Sequence, residues 1–430
     1  MDKKIPPKKR HLLVFRNSLY SIFDQVSGLF LALIIIAILA RNFGPADVGK
    51  YTLAVALTSL VSVVTNFGFQ ALVKREVAKD RRSTGKFLGQ ATLLRFCLSL
   101  PSSVAAVFFL SWVLGYGTDM LVFTQIVNLF VFLSGIFALN SSVLISLHRS
   151  KDVLLFNLLY RAAVIIFLVF VAALDLSLQW YAVLLVFATV IPSFFSSKKI
   201  RQVTQRLELS LDVDVAKKLL VDSAPLMLAA AAEFANLKLD SLIVGHYHGN
   251  DDVGFYSVAF NVLMAAVILP LAITKVLFPN FIQIFRDEGN ERAFYFLRNY
   301  LYAFSLYGII TTVFLIIFSE IIVSLIFGAE FGRSSAVLSL LAFGVPFIVF
   351  NRLFNYLLVA MHRDSLFFSI NFFCLLLNLS LNFALIPQYS LFGAAIATII
   401  TEFAMMFASG VAVYRRMNFL STRKSHDVES

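Results

Sequence analysis

The chain has 430 residues, of which 59% are hydrophobic and 14% are charged, and its net charge is +11 at pH 7. So small a charged fraction excludes a soluble globular domain of this length. Apolar runs of about 20 residues, enough to cross the roughly 30 Å core of a bilayer, recur from end to end. We therefore predict an all-α integral membrane protein.

Taken in chain order, the apolar runs predict about twelve transmembrane helices in two sets of six. The first set lies near residues 18–40, 51–73, 87–114, 121–147, 154–174 and 180–197, and the second near residues 219–244, 254–278, 300–327, 336–361, 365–386 and 394–414. No polar block between these runs is long enough to form a separate soluble domain. The whole chain is thus predicted to lie in or at the membrane.

Lys and Arg residues are divided unevenly between the two alternating groups of connecting segments. One group, which contains both termini, carries 28 of the 36, whereas the other carries Arg41, Lys50 and Arg333. Because basic residues concentrate on the cytoplasmic side of membrane proteins, both termini are predicted to be cytoplasmic and the number of spans to be even. Topology thereby explains the positive charge, and no nucleic-acid partner is predicted.

Two stretches of eleven residues, at an offset of 205, are identical at six positions. Residues 44–54 read GPADVGKYTLA and residues 249–259 read GNDDVGFYSVA. The glycines favour a tight turn, Asp47 and Asp252 favour capping of the helix that follows, and the shared tyrosine, Tyr256 in the second copy, favours the headgroup level. Since each copy follows the first helix of its set, we predict two lobes related by a parallel repeat, which is typical of transporters.

The predicted organisation along the chain has five parts. They are a cytoplasmic N-terminus (1–17), an N-lobe with helices 1–6 (18–197), a cytoplasmic inter-lobe linker (198–218), a C-lobe with helices 7–12 (219–414) and a cytoplasmic C-terminal tail (415–430). The linker reads KKIRQVTQRLELSLDVDVAKK, and its spaced Val and Leu residues among charges predict an amphipathic helix on the membrane surface.

Charged residues inside the predicted spans are the candidates for function, because each costs about 2.5–3.5 kcal/mol at the middle of a lipid-facing helix. They include Asp24, Arg95, Arg161, Glu233, Lys238, Asp240, Lys275, Arg352 and Glu402. Most of them must therefore face the interior of a helix bundle or a water-filled cavity. The three arginines are the most deeply placed cations, and Glu233 and Glu402 lie near the middle of the bilayer.

Arg95, Arg161 and Arg352 come from the third, fifth and tenth predicted helices, so both lobes contribute to this set. Guanidinium groups suit bidentate recognition of phosphate or pyrophosphate, which predicts that these residues bind substrate. The alternative is that each arginine pairs with an acidic residue and only holds helices together. The residues predicted to pair charges or to couple transport to an ion are Asp24, Glu233, Lys238, Asp240 and Glu402.

Asparagines add a polar stripe to the second half of the chain. Asn371, Asn378 and Asn382 share one face of the eleventh predicted helix, and Asn351 immediately precedes Arg352. Amides can hydrogen-bond sugar hydroxyls, so Asn351 and Asn378 are predicted to bind substrate. The alternative is that the amides join helices, a contribution of about 0.6–2 kcal/mol each.

Motifs for enzymatic chemistry are absent from the sequence. His246 and His248 form an HxH pair without a third ligand at suitable spacing, so no metal site is predicted. There is no GxSxG, Walker-type or HExxH motif. We predict no catalytic residue and no cofactor, and any energy for transport would come from an ion gradient or from the substrate gradient.

Three parts of the sequence carry a family resemblance. They read ILARNFGPADVGKYTLA with NFGFQALVKREVAKD, then LKLDSLIVGHYHGNDDVGFYSVAF, then IFGAEFGRSSAVLSLLAF. The first resembles the N-terminal signature of polysaccharide flippases of the multidrug/oligosaccharidyl-lipid/polysaccharide exporter superfamily. The second is similar to their seventh and eighth helices, and the third to the loop leading into the tenth. Length and span number agree over essentially the whole chain.

This resemblance implies a V-shaped, two-lobed carrier. It would move an undecaprenyl-pyrophosphate-linked oligosaccharide from the cytoplasmic to the periplasmic leaflet of a bacterial inner membrane by alternating access, for O-antigen, capsule or exopolysaccharide synthesis. The family's cationic cavity is consistent with Arg95, Arg161 and Arg352. Membrane lipids and other assembly proteins, such as a polymerase or a chain-length regulator, are the expected partners.

Three other functions remain as alternatives. An ion-coupled drug antiporter of the same superfamily is expected to place acidic residues, without several deep arginines, in its cavity. A membrane-embedded polysaccharide polymerase or glycosyltransferase usually carries a large outer loop or a soluble catalytic part, whereas each predicted outer loop here has about a dozen residues or fewer. A non-transporting scaffold would have no need of buried charges.

Overall fold

The computed structural model describes residues 7–81, 84–113, 115–204, 212–288, 290–361 and 363–428, and within them the fold is helical with no strand. The helices are α1 (Pro7–Asn66), α2 (Phe69–Lys79), α3 (Thr84–Phe108), α4 (Thr118–Ser146), α5 (Ser150–Ala173), α6 (Leu178–Val203), α7 (Val213–Ala266), α8 (Ile268–Asp287), α9 (Asn290–Phe327), α10 (Gly332–Ala342), α11 (Val345–Ala360) and α12 (Asp364–Val428). A π-helical turn (Phe109–Val113) continues α3, and a 3₁₀ turn (Ala329–Phe331) precedes α10.

Three of these helices are interrupted by a single residue with positive φ. Gly44 breaks α1 with φ 76° and ψ −179°, and Gly249 breaks α7 with φ 82° and ψ −174°. Ser390 breaks α12 with φ 49°. Glycine adopts such a φ without steric cost, so the two copies of the sequence repeat form the same sharp turn.

The structure shows the contacts of two further residues of the repeat. Asp252, predicted to cap a helix, instead accepts hydrogen bonds from Arg333 and Ser390. Tyr256, predicted to lie at the headgroup level, is 1% exposed and donates to the carboxylate of Asp240. A phenol buried in this way needs a partner for its hydroxyl group, and Asp240 supplies one.

Seven helical stretches in the described residues are apolar and long enough to span a bilayer, or up to nine if each bent helix pair is one span. Two of the seven, Leu19–Lys79 and Ser365–Arg416, have 61 and 52 residues and contain the breaks described above, so each has the length to cross twice. These lengths are consistent with twelve crossings.

Two predicted helices are not continuous in the structure. The helix predicted at 254–278 bends by 41° between Lys238–Ala266 and Ile268–Thr274. The helix predicted at 336–361 bends by 52° between Ala329–Ala342 and Val345–Ala360. Pro346 lies in the first turn of α11, where its missing amide hydrogen costs no helical hydrogen bond.

The chain divides into two compact units. Unit 1 comprises Met1–Ile38 and Lys50–Lys238, and unit 2 comprises Leu39–Gly49 and Leu239–Ser430. Residues Leu39–Gly49 of α1 therefore belong to unit 2, whereas the rest of α1 belongs to unit 1. The first part of α7, as far as Lys238, belongs to unit 1, and the rest of α7 belongs to unit 2.

The start of α7 belongs to unit 1 because it helps to form the core of that unit. Leu219 is fully buried in a cluster with apolar residues of α2, α3, α4, α5 and α6, among them Phe69 and Leu144. Burying a leucine side chain contributes about 1.5–3 kcal/mol. A Cβ atom added to Gly68, which has φ 74°, would lie 2.9 Å from the carbonyl oxygen of Ser223, so this glycine permits close packing of α7.

The predicted linker at 198–218 is not a separate element in its described parts. Its first residues extend α6 to Val203, and α7 begins at Val213. Residues 205–211, the central third of the predicted surface helix, lie outside the described residues. The predicted tail at 415–430 continues α12 as far as Val428.

Candidate functional site

Arg161 and Asp24 form an ion pair between α5 and α1 in unit 1. The Nη2 atom of Arg161 lies 2.8 Å from Oδ1 of Asp24 and donates to the Asp24 carbonyl oxygen at 2.8 Å. Nη1 of Arg161 donates to Oγ of Ser27 at 2.5 Å, and Nδ2 of Asn157 donates to Oδ2 of Asp24 at 2.9 Å. The side chains of Arg161 and Asp24 are 14% and 21% exposed, so the ion pair is partly buried.

The absence of a side chain at Gly28 lets this guanidinium lie against the backbone of α1. A Cβ atom added there would lie 3.1 Å from Nη2 of Arg161. Asp24, Ser27 and Gly28 are spaced three and four residues apart, which places them on one face of a helix. Asn157 precedes Arg161 by one helical turn on α5. The polar face of α5 therefore contacts the polar face of α1.

Arg95 occupies a different place in unit 1 and is 1% exposed. Its guanidinium donates to Oδ1 of Asn66, the last residue of α1, and to the carbonyl oxygen of Val131 in α4 at 3.0 Å. A Cβ atom added to Gly135 would collide with the guanidinium. Within the described part of the chain, no carboxylate forms an ion pair with Arg95, so this cation is held by an amide and a carbonyl group.

Arg352 is exposed on α11 in unit 2, and its charge acts on Glu402 in α12. The neighbouring Asn351 is 2% exposed and donates from Nδ2 to Oε2 of Glu402 at 2.5 Å and to the Glu402 carbonyl oxygen at 3.2 Å. Asn355, one turn further along α11, accepts a hydrogen bond from Ser409 of α12 at 3.3 Å. The amide of Asn351 thus holds both the carboxylate and the backbone carbonyl group of Glu402.

The asparagine stripe of α12 forms a hydrogen-bonded chain in the interior of unit 2. Asn382 is fully buried and donates to Oδ1 of Asn378 at 2.9 Å, and Asn378 donates to Oγ1 of Thr401 at 3.3 Å. Asn371 donates to the carbonyl oxygen of Phe367 on its own helix at 2.8 Å. Asn378 therefore joins the two parts of α12 on either side of Ser390.

Of the remaining predicted acidic and basic residues, Glu233, Lys238 and Asp240 lie on α7 and Lys275 lies on α8. Asp240 is 5% exposed, and it accepts from Tyr256 and from the backbone amide of Ser241 at 2.7 Å. Lys238 is half-buried and has an interaction of its own. The side chains of Glu233 and Lys275 lie outside the described residues.

Sequence reasoning brought the charged residues to attention but missed the neutral partners that place them. Ser27 and Asn157 complete the Arg161 site, and Asn66 holds Arg95. Ser27 follows Asp24 by three residues and Asn157 precedes Arg161 by four, and this helical spacing could have indicated both partners. No comparable signal exists for Asn66, which precedes Arg95 by 29 residues. Among the described residues, no group of three or more His, Cys, Asp or Glu side chains is arranged to hold a metal ion.

Comparison with known families gives a match over residues 14–285 to the family described as "Polysaccharide biosynthesis protein". The capsular polysaccharide biosynthesis protein CapF of Staphylococcus aureus is 21% identical over 405 residues, which cover 91% of this chain and 97% of CapF. The probable low-salt glycan biosynthesis flippase Agl15 of Haloferax volcanii is 23% identical over 386 residues, which cover 89% of this chain and 80% of Agl15.

Solved structures with the same fold include the lipid II flippase MurJ in an inward closed conformation. The TM-score is 0.78 at 16% identity, with 93% of this chain and 87% of the MurJ chain covered. An inward-facing multidrug resistance MATE family transporter of the MOP superfamily gives a TM-score of 0.76 at 13% identity, with 92% and 96% covered. The predicted all-α transporter fold is thereby confirmed.

Proposed function

Because this chain belongs to the polysaccharide biosynthesis protein family, we propose that it is a flippase for lipid-linked oligosaccharides. The observation that carries the proposal is the family match over residues 14–285, more than half of the chain. Agl15, a relative over most of its length, is described as a probable glycan biosynthesis flippase, and the MurJ fold is that of a lipid II flippase. The protein is accordingly a multi-pass membrane transporter and not an enzyme.

The cargo in this proposal is an undecaprenyl-pyrophosphate-linked oligosaccharide, which crosses from the cytoplasmic to the periplasmic leaflet of a bacterial inner membrane. The distribution of Lys and Arg supports cytoplasmic termini. The glycan would serve O-antigen, capsule or exopolysaccharide synthesis. A polymerase and a chain-length regulator are the proposed protein partners.

Arg161 is the residue that we propose to bind the pyrophosphate. It is partly exposed, and its present partner is a single carboxylate, Asp24. A pyrophosphate offers more negative charge and more acceptor oxygens than a carboxylate, and guanidinium binds phosphate in bidentate fashion. Binding would therefore displace Asp24 from Arg161, and Asp24 would hold the arginine in place whenever the site is empty.

Further contacts with the cargo are proposed for residues of unit 2. Arg352 is exposed and offers a second cation, while Asn351 and Asn378 offer amides for sugar hydroxyls. Both amides are buried against α12 in this structure, so they would contact substrate only after a rearrangement of their present hydrogen bonds. The same condition holds for Arg95 in unit 1, which is 1% exposed.

Ion coupling is proposed for the acidic residues of the two units. Asp24 contacts the guanidinium of Arg161 and the amide of Asn157, and Glu402 contacts the amide of Asn351, which precedes Arg352. Asp240, with Tyr256 as its partner, is the third such carboxylate. Glu233 and Lys238 complete the proposed set on α7.

The test is flipping by the purified protein in proteoliposomes that contain a polyprenyl-pyrophosphate-linked oligosaccharide. A glycosidase added outside measures how much glycan becomes exposed. We expect protein-dependent exposure that falls at least tenfold in Arg161→Ala and Arg352→Ala. Arg292→Ala, at an exposed arginine of α9 that pairs with Glu288 at the end of α8, is the matched control and should flip at the wild-type rate.

Each outcome of this assay has a separate meaning. Flipping that persists in both arginine variants would retain the function and refute the proposed site. No flipping in the wild-type protein, with or without an ion gradient, would refute the function. Export of a cationic drug by the same proteoliposomes would favour the antiporter alternative.

A further inference from the structure

The two bent helix pairs of unit 2 both pack against α9, and each has a proline just after its bend. Pro270 follows the 41° bend between α7 and α8, and Pro346 follows the 52° bend between α10 and α11. If each pair were one continuous helix, the amide of residue 270 would donate to the carbonyl group of Ala266 and that of residue 346 to Ala342. Proline has no amide hydrogen, so both carbonyl groups need another donor.

A hydroxyl group of α9 supplies that donor at each bend. The phenol of Tyr307 donates to the carbonyl oxygen of Ala266 at 2.5 Å, and Oγ1 of Thr312 donates to the carbonyl oxygen of Ala342 at 2.9 Å. The hydrocarbon core of a bilayer offers no water that could replace such a donor, so an unsatisfied carbonyl group is costly there. One helix therefore completes both proline bends.

Gly308 lets α9 approach the bend between α10 and α11 closely. A Cβ atom added to Gly308 would lie 3.1 Å from Cα of Pro346 and 3.3 Å from its Cβ atom. Gly308 and Thr312 are four residues apart, so they lie on the same face of α9. This face thus contacts both the proline and the carbonyl group that the proline leaves without an amide.

The packing beyond the two bends leaves room for a change in helix direction. Residues of α8, α9 and α11, among them Thr274, Tyr300 and Leu353, line an apolar cavity between these three helices. A cavity lacks the van der Waals contacts that would otherwise resist a movement of the helices around it. The hydrogen bonds at the bends are therefore the specific contacts that set the directions of α8 and α11.

The direction of α11 determines the position of Arg352, the proposed cation for the cargo. Arg352 follows Pro346 by six residues, which places it about 9 Å along the helix axis from the proline. At that distance, a change of about 10° in the bend would move Arg352 by about 1.5 Å. A shift of this size is enough to break a hydrogen bond to an anion. None of the proposed cargo contacts lies on α8, so the bend at Pro270 has no such consequence.

We propose that Thr312 is a positioning residue for Arg352, and that it acts by capping the carbonyl group that Pro346 leaves without an amide. Tyr307 caps the bend at Pro270 in the same way and fixes the direction of α8. The effect of Thr312 on cargo binding rests on the proposed flippase function, whereas the two caps do not.

A double-variant cycle with each proline tests the caps. Thr312→Val removes the hydroxyl group with little change of shape, and Pro346→Ala returns an amide that can donate to Ala342. We expect Thr312→Val to lower the melting temperature of the detergent-solubilised protein, and to lower it by less than about a third as much in the Pro346→Ala background. Tyr307→Phe should depend on Pro270→Ala in the same manner.

Two other residues of α9 provide the matched controls. The hydroxyl group of Ser305 donates to Leu301 of its own helix at 2.8 Å, and Tyr302 is 68% exposed. Ser305→Ala and Tyr302→Phe should therefore have the same effect with and without the prolines. Thr312→Ser keeps the hydroxyl group and should retain the wild-type melting temperature, which tests the cap even if Pro346→Ala fails to fold. Equal losses from Thr312→Val and Thr312→Ser, or a loss that is independent of Pro346, would overturn the cap.

The rate of flipping, measured against cargo concentration in proteoliposomes, tests the positioning of Arg352. We expect Thr312→Val to raise the half-saturating concentration of a polyprenyl-pyrophosphate-linked oligosaccharide about fivefold, with the maximal rate within about twofold of wild type. Thr312→Ser should restore the wild-type value, and Tyr307→Phe should leave it unchanged. In the Arg352→Ala background, Thr312→Val should have no further effect, because the contact that it positions is absent.

The outcomes separate the positioning role from the proposed function. A half-saturating concentration that Thr312→Val leaves unchanged, or raises equally in the Arg352→Ala background, would overturn the positioning role. An equal rise in Tyr307→Phe would assign the effect to general loosening of unit 2 and would overturn it as well. No flipping by the wild-type protein would refute the flippase function together with the positioning role, and the melting temperatures would still decide the caps.

Discussion

The guanidinium of Arg161 lies 2.8 Å from the carboxylate of Asp24, and each of these residues has a neutral neighbour that holds it in place. Ser27 accepts from the arginine, and Asn157 donates to the aspartate. The two charges therefore satisfy each other without a second cation or a second acid. In a membrane span this arrangement makes the pair stable when the site is empty, and it still leaves Arg161 accessible to a stronger anion.

Removal of either charge is expected to destabilise the protein. Arg161→Ala and Asp24→Ala should each lower the free energy of unfolding by about 2–3 kcal/mol, because each leaves a partly buried charge without its partner. Thermal unfolding of the detergent-solubilised protein would measure this. The double variant should lose much less than the sum of the single variants, and additive losses would contradict a direct interaction between the two side chains.

Gly135 is predicted to be intolerant of any side chain as long as Arg95 is present. Gly135→Ala places a methyl group where the guanidinium of Arg95 lies, so the arginine must leave Asn66 and the carbonyl group of Val131. We expect a loss of about 2–4 kcal/mol in unfolding free energy, since both overpacking and lost hydrogen bonds contribute.

The control for this steric explanation is the double variant. In Arg95→Ala the space above Gly135 becomes free, so the further change Gly135→Ala should cost less than about 0.5 kcal/mol. A cost that stays as large as in the wild-type background would mean that the glycine is needed for a reason other than Arg95.

The sequence was sufficient to locate the turns of the fold, because their cause is local. Gly44 and Gly249 have the same positive φ, and only glycine adopts it without steric cost, so the repeated motif identified both turns. The bend between α10 and α11 was not found, because the apolar run continues through it and hydropathy does not respond to backbone direction. Tyr256 was misplaced because its partner, Asp240, lies on the other side of the Gly249 break.

The candidate site was predictable only as far as charge is concerned. Burial cost alone requires Arg161 and Arg95 to face protein or water, and both do. Which of them pairs with an acid depends on the packing of α5 against α1 and of α3 against α4, which no spacing in the sequence encodes. Arg95 consequently has an amide and a carbonyl group as partners, whereas Arg161 has a carboxylate.

A cluster of charges around Glu76 is predicted to fix the start of α7 in unit 1. The Glu76 side chain is 9% exposed and accepts from Arg75 at 3.3 Å, from Lys79 at 2.8 Å and from Lys218 at 3.5 Å, while Arg75 also contacts Asp222 at 3.3 Å. Glu76→Gln should lower the unfolding free energy by about 1–2 kcal/mol, because three cations lose a charged acceptor. Arg292→Ala, at a mostly exposed pair, should leave it unchanged.

A separate ion pair of unit 1 joins Lys86 and Asp212, whose atoms Nζ and Oδ2 are 2.6 Å apart. The hydrogen bond from Lys86, followed by one from the backbone amide of Val215, holds the pKa of Asp212 below its ordinary value of 3.8. Because the pKa of Asp212 is lower in the folded than in the unfolded protein, its ionisation stabilises the folded protein above pH 3.8. This stabilisation is lost as the pH falls below that value. The contribution of the pair, measured by comparison with Asp212→Asn, should therefore stay constant between pH 5 and about pH 8.

Glu402 is predicted to be the residue of unit 2 through which a proton gradient acts. Asn351 donates to its carboxylate at 2.5 Å, and Arg352, proposed to bind the anionic cargo, is the next residue along α11, so the carboxylate is held by a neighbour of the proposed cargo contact. Glu402→Gln keeps an acceptor for Asn351 and should leave thermal stability within about 1 kcal/mol of wild type. The variant should lose the acceleration of flipping by an imposed pH gradient, while its rate without a gradient changes less than threefold. Glu320→Gln, at an exposed acid of α9 in the same unit, is the matched control, and acceleration that persists in Glu402→Gln would assign the coupling to another carboxylate.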